Sequence, residues 1–294
     1  MAVQTESAPI PAVTIKPGAA IFRQALRNPG VILGGVILSI MVFVALFAPF
    51  LGTVDPVYLD PISRLKKPFT DWFLGTDAFG RDIYSRIIYG ARISLIIGIG
   101  AAVLSIAIGL FVGLISGYFR IVDAIVMRIM DGLMAIPGIL LAIALVSLSG
   151  ASLLTVMVAI TIPEIPRVVR LVRSVVLSIR EEPYVEAAIS IGTPLPLILI
   201  RHVMPNTFAP LIVQGTYICA SAMLTEAILS FLGAGIPPEI PTWGNIMAEG
   251  RVYFQLAPWI ILFPGIFLSL TVLAVNILGD GLRDTLDPRL AKRV

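Results

Sequence analysis

The sequence predicts an all-α protein that crosses a membrane six times. Three observations carry that prediction. Of the 294 residues, 57% are hydrophobic and only 13% charged, with mean hydropathy +0.97. Ordinary soluble domains carry roughly 25% charged and 45–50% apolar residues. The apolar residues come in runs long enough to span a bilayer, which takes about 20 residues at about 1.5 Å rise each. Lys and Arg, finally, concentrate in alternate segments between the runs, as the positive-inside rule requires.

Taken in order, residues 1–30 read as a polar cytoplasmic tail, with Lys16, Arg23 and Arg27 ahead of the first apolar run. A cleavable signal peptide would place a shorter apolar core nearer the start. The first span is Val31–Leu51, broken near its end by Pro49. Residues 52–92 form a periplasmic loop. The second span, Ile93–Gly117, has no charge, and its Gly109 and Gly113 make a small-xxx-small pair that lets helices approach closely in lipid. The third runs from about Ile125 to Leu148. Only Leu148–Gly150 separates it from the fourth, about Ala151–Pro166, which is short and carries Pro163, Glu164 and Pro166. The fifth is about Thr207–Leu232 and the sixth about Ala257–Gly279. Residues 93–281 then form a five-helix core, followed by a cytoplasmic tail, 282–294.

With both termini inside, the inner segments hold 14 of the 21 Lys and Arg residues. The 52–92 segment opposes this assignment, because it carries six of the seven outside. Four separate inner segments agree on the orientation. The net charge of +3 fits such loops and calls for no nucleic acid. The single cysteine, Cys219, lies in an apolar run and reads as a buried structural thiol. One histidine, one cysteine and no HExxH leave no metal site, and there is no GxSxG nucleophile. The stretch GTDAFGRD, 75–82, follows a phosphate loop only to its second glycine. Arg81 and Asp82 stand where Lys and Ser/Thr would reach phosphate and Mg²⁺. The stretch does not complete an ATP-binding loop, and energy must come from another chain.

The segment Tyr184–Asn206, YVEAAISIGTPLPLILIRHVMPN, lies inside the cell between the fourth and fifth spans. Pro183 suits a first helical position, and Glu181, Glu182 and Glu186 suit a helix N-terminus. Gly192 is a natural stop, and Thr193 can cap a second helix opened by Pro194 and ending near Pro205. Two short helices meet at a sharp corner. The pair is either an interfacial element or a rigid knob for a cytoplasmic partner.

Glu186-Ala187-Ala188, Gly192 four residues after Ala188, and Pro205 resemble the EAA loop of ABC importer permeases, E-A-A-x3-G-x9-I-x-L-P. Here His202 replaces Ile and Met204 replaces Leu, and Arg-His-x-x-Pro-Asn matches the peptide-importer subfamily. GTDAFGRDIYSRIIYGARISL (75–95), DAIVMRIMDGLMAIPGILLAI (123–143), ILSFLGAGIPPEIPTWGNI (228–246) and LGDGLRDTLDPRL (278–290) look like the second permease subunit of dipeptide and oligopeptide importers. The resemblance covers roughly residues 20–294. It implies a type I ABC importer permease fold, with Glu186, Ala187, Ala188, Gly192, Arg201, His202 and Pro205 coupling to an ATPase. Its implied partners are a homologous second permease, two ABC ATPase subunits that use ATP and Mg²⁺, a periplasmic substrate-binding protein and the lipid of a bacterial inner membrane. This chain itself would bind no cofactor and catalyse no reaction.

Acids within spans mark either a path or a local ion pair, since an Asp at mid-span costs about 2.5–3.5 kcal/mol. Asp131 lines a translocation path or pairs with a nearby Arg such as Arg128. Glu226, deeper, points to the path or to a subunit interface. Trp243 and Tyr253 are candidate contacts for the binding protein, in the Pro- and Gly-rich segment 233–256, which either meets that protein or closes the outer mouth. Cargo other than peptides remains open on the same fold: nickel chelates, glutathione or opine-like compounds. The rivals from other classes are an ion-coupled secondary transporter using the intramembrane acids, and an intramembrane protease, for which Asp131 and Glu226 are a poor match in type and depth.

Overall fold

A computed structural model describes residues 24–286. Among these residues no strand forms beyond one antiparallel bridge, Thr76 with Asp82. The helices are α1 Pro29–Leu46, α2 Ile83–Tyr118, α3 Arg120–Ala135, α4 Gly138–Ser149, α5 Leu153–Ile179, α6 Pro183–Ser190, α7 Leu195–Ile198, α8 Phe208–Phe231, α9 Trp243–Gly250 and α10 Trp259–Leu286. α1, α2, α10 and the continuous stretch Leu195–Phe231 are long and apolar enough to span a membrane. The bent pair α3–α4 makes a fifth when counted as one broken span, and the 27-residue α5, which carries Glu164, Arg167, Arg170 and Arg173, is the sixth long helical unit.

Caps explain several starts. Asn28 Oδ1 accepts from Gly30 N at 2.8 Å ahead of α1, and Asp82 Oδ2 accepts from Ser85 N at 2.9 Å ahead of α2. That second cap places the start of α2 ten residues before Ile93, so 83–92 is helix and not loop. Ser152 and Thr155 form a reciprocal capping box that opens α5.

Two expected spans and one expected loop helix are corrected. The third is no straight helix: α3 and α4 meet at 90° across Ile136–Pro137. Pro disfavours α geometry in the residue before it, and Ile136 is accordingly extended. The fourth does not end at Pro166. α5 passes through Pro163 and Pro166 to Ile179, as buried helices in membranes tolerate. The second helix of the 184–206 segment does not stop near Pro205 either. The chain stays helical from Leu195 to Phe231 by widening into a π turn at Leu199–Val203 and tightening into a 3₁₀ turn at Met204–Thr207. The wide turn relieves the clash of the Pro205 ring with the preceding turn.

α2 is the central post. Gly109, Gly113 and Gly117 face Val168, Val172 and Val176 of α5 in register, one glycine per valine. A Cβ on Gly113 would lie 2.7 Å from the Val172 Cβ. Gly113→Val should therefore overpack the α2–α5 contact and cost about 1–3 kcal/mol, read as a lowered thermal unfolding midpoint in detergent. An unchanged midpoint would refute the register.

Candidate functional site

α6 and α7 form the knob that the sequence points to. Pro183 opens α6, with Glu182 at the cap and Glu186 in the first turn. The end of α6 is a Schellman motif: Thr193 N donates to Ala188 O at 3.1 Å and Gly192 N to Ile189 O at 2.9 Å. Gly192 has φ +80°, and open space surrounds the position of a Cβ. Thr193 does not cap the second helix; Pro194 occupies that place without a side-chain bond. The knob is held by Val185, Ile198 and Val203, buried in the same core as Val172 and Val176 of α5. Glu186, Ala187, Arg201 and Pro205 remain exposed and His202 half-buried.

Between the two helices lies a groove of about 420 Å³, whose lining includes Tyr184, Ala187, Ile191, Leu197, Arg201 and His202. Asn206 ties two of these lining residues together. Its Nδ2 donates to His202 O at 2.7 Å and lies 3.3 Å from the Tyr184 hydroxyl. The sequence reading gave Tyr184 only as the start of the segment, and Asn206 as its end and the last residue of Arg-His-x-x-Pro-Asn. A polar residue directly after a helix-embedded Pro was the available signal for Asn206.

The intramembrane acids separate into different roles. Asp131 pairs with Arg170 across to α5, with Arg170 Nη2 donating to Oδ1 at 2.5 Å, and not with Arg128. Asp123 takes Arg173 through both oxygens. Glu164 accepts from Arg167 Nη1 at 3.1 Å. Glu226 is 1% exposed and faces the interior. Its Oε1 accepts from Ser230 Oγ and from Thr242 Oγ1, both at 2.8 Å, and Thr242 in turn caps α9. Glu226 thus fastens α9 to α8.

Trp243 is a correction. It is fully buried, donates Nε1–H to Ile87 O at 3.1 Å, and packs 6.5 Å from the Phe267 ring. It cannot meet a partner at the surface. It is the plug under the outer segment, while Tyr253 is half-buried beside exposed Val252 and Phe254. Asn245 Nδ2 holds the segment further, donating to the carbonyls of Ile236, Pro237 and Ile240.

Under the same segment sits a charge cluster that the sequence reading missed. Asp77 Oδ2 accepts from Arg81 Nε at 2.6 Å and from Arg86 Nη1 at 2.7 Å. Glu249 Oε2 of α9 accepts from Arg86 Nη1 at 2.6 Å and from Arg81. The GTDAFGRD stretch is therefore a folded corner, with Asp77 Oδ1 holding the amides of Phe79 and Arg81. The signal was the six basic residues of segment 52–92. Arg81 and Arg86, two of those six, are consumed in this buried cluster.

Two family models match the chain: binding-protein-dependent transport system inner membrane component over residues 105–292, and the N-terminal transmembrane domain of oligopeptide transport permease C over residues 16–68. A probable peptide ABC transporter permease protein of Sinorhizobium fredii is 54% identical over 273 residues, covering 93% of this chain and 94% of that one. The dipeptide transport system permease protein DppC of Alkalihalophilus pseudofirmus is 42% identical, covering 94% and 91%. The glutathione transport system permease protein GsiD of Pectobacterium atrosepticum is 40% identical, covering 93% and 92%. Among solved structures, a chain of the inward-facing MetNI methionine ABC transporter superposes with TM-score 0.55 at 18% identity, covering 70% of this chain and 98% of that chain, a likeness of fold. The type I importer permease fold implies an ATPase and a substrate-binding protein as partners. By sequence and by fold, this multi-pass membrane protein belongs to the binding-protein-dependent transport system inner membrane components and is a permease subunit of an ABC importer.

Proposed function

We propose that this chain is one of two homologous permease subunits of a bacterial inner-membrane importer for di- and oligopeptides. The observation that carries the coupling role is the knob: a Schellman corner at Gly192 between α6 and α7, anchored in the core and exposed on its Glu186–Ala187 and Arg201 sides. Two ATPase subunits hold ATP and Mg²⁺ and grip this knob and its counterpart on the second permease. Glu186, Ala187, Ala188, Gly192 and Pro205 set its shape, and Arg201 and His202 supply polar contacts. Both termini lie in the cytoplasm, and a periplasmic binding protein delivers cargo to the outer face near Tyr253. The chain binds no cofactor and does no chemistry; closure of the ATPases rocks the helices between inward and outward access.

The relatives named for peptides, dipeptides and glutathione support a peptide-like cargo. Asp131 and its arginine partner belong to the path. Glu226, closed inside the subunit, supports the outer segment instead. Purification from the native host in mild detergent tests the reading. Two P-loop ATPases and a second six-span permease should accompany the chain. A lone protein that drives uptake without ATP would overturn it.

A further inference from the structure

The inner half of α5 has an unusual exposed face. Its exposed residues are Arg167, Arg170, Ser174 and Ser178, all polar and on one side of the helix, whereas the outer half exposes Leu154 and Val158 on the other side. Counted from Leu153, Arg167 and Arg170 lie about 21 and 26 Å along the helix, in the inner part of a hydrocarbon layer about 30 Å thick that begins at Leu153. A charge in that part of the layer is costly against lipid and is favoured where it meets water or protein. The opposite side of this half is closed by Val168, Val172 and Val176 against the glycines of α2. Each guanidinium has five N–H donors. Among the described residues, Arg167 uses only Nη1, on Glu164, and Arg170 only Nη2, on Asp131. Their side chains are 46% and 45% exposed and that of Asp131 61%. The face offers donors for an anion and, beside them, a carboxylate for a cation. A peptide with free ends carries both charges.

We infer that the Arg167–Arg170 face of α5 lines the water-filled inner half of the path and meets the terminal carboxylate of the cargo, with Asp131 beside it for the ammonium group. This rests on the peptide-import reading. The two arginines are cargo-positioning residues; the pairs with Glu164 and Asp131 hold them in place and balance their charge when the path is empty.

The test uses the whole complex in proteoliposomes, with binding protein outside and ATP within, in a Cys219→Ala background that removes the only cysteine. Arg167→Cys should lower ATP-dependent uptake of a free dipeptide about tenfold, the loss expected for one charge-assisted contact. A small cationic methanethiosulfonate applied from the cytoplasmic side should restore most of it, and an anionic reagent of similar size should not. Arg167→Lys should keep most uptake and controls for folding. Restoration by both reagents, or by neither although both react, overturns the charge role. Failure of Arg167→Cys and Ser174→Cys to react overturns the water-lined face and assigns it to a protein interface. If the unmodified complex hydrolyses ATP yet imports no peptide, the peptide reading fails and takes the cargo assignment with it, while Ser174→Cys labelling still decides whether the face is wet.

Discussion

Gly192→Val is expected to leave the permease in the membrane at normal amounts and to reduce uptake by about tenfold or more. At φ +80° a residue with a Cβ is strained by about 1–2 kcal/mol, and a β-branched one by more. No neighbour lies within 4 Å of the added Cβ, so the strain is in the backbone and not in a clash. The cheapest relief is to open the corner, breaking the Thr193–Ala188 and Gly192–Ile189 bonds and swinging α6 away from α7. The core residues Val185 and Val203 still hold the segment in place, so folding survives while the exposed surface loses its shape. Gly192→Asn separates this account from a simple loss of space, because Asn tolerates the left-handed region. It should retain most of the uptake, measured together with the ATPase response to the binding protein. Equal losses for Val and Asn would show that the corner's backbone geometry is not what matters.

Arg86→Met should be the most destabilising single change in the outer cap, by about 3–5 kcal/mol, because it strips one partner from a buried ion cluster. The Arg86 side chain is 1% exposed and bridges Asp77 of the outer loop to Glu249 of α9. Without it, two carboxylates share Arg81 alone. The readout is thermal unfolding in detergent, with limited proteolysis of residues 233–256 reporting where the loosening begins. Adding Glu249→Gln should recover part of the loss, since it removes the stranded charge. A shift below about 1 kcal/mol for Arg86→Met, the level of a surface pair, would mean that water reaches the cluster.

Much of this molecule is legible in its sequence, and the limits have physical causes. Hydropathy finds α1, α2, α8 and α10 because lipid imposes a long uncharged run on each. It places the end of α5 too early, because Glu164 and Arg167 look like an exit from the membrane, whereas they are paired with each other. It misses the 90° turn at Ile136–Pro137, since an apolar run says nothing about its own straightness. The knob is readable from Pro183 and Gly192 because caps and corners are local chemistry. Trp243 misleads because aromatic residues in Pro-rich outer loops suit both an interface and a plug, and only the carbonyl of Ile87, 156 residues away in sequence, decides between them. Arg86 was invisible as a functional residue for the same reason: its partners are Asp77 and the distant Glu249.

The helical stretch from Leu195 to Phe231 has a mechanical consequence. Its 37 residues form a shaft about 55 Å long, with Arg201 near one end and Glu226 near the other. No loop between them can absorb a displacement. The knob and the clasp on α9 are two ends of one connecting rod, and the only compliant joint in it is the irregular turn around Pro205. Under the proposed coupling role, a thrust on the knob would reach α9 through this stretch. The stiffness of that one joint would set how much of the stroke is transmitted.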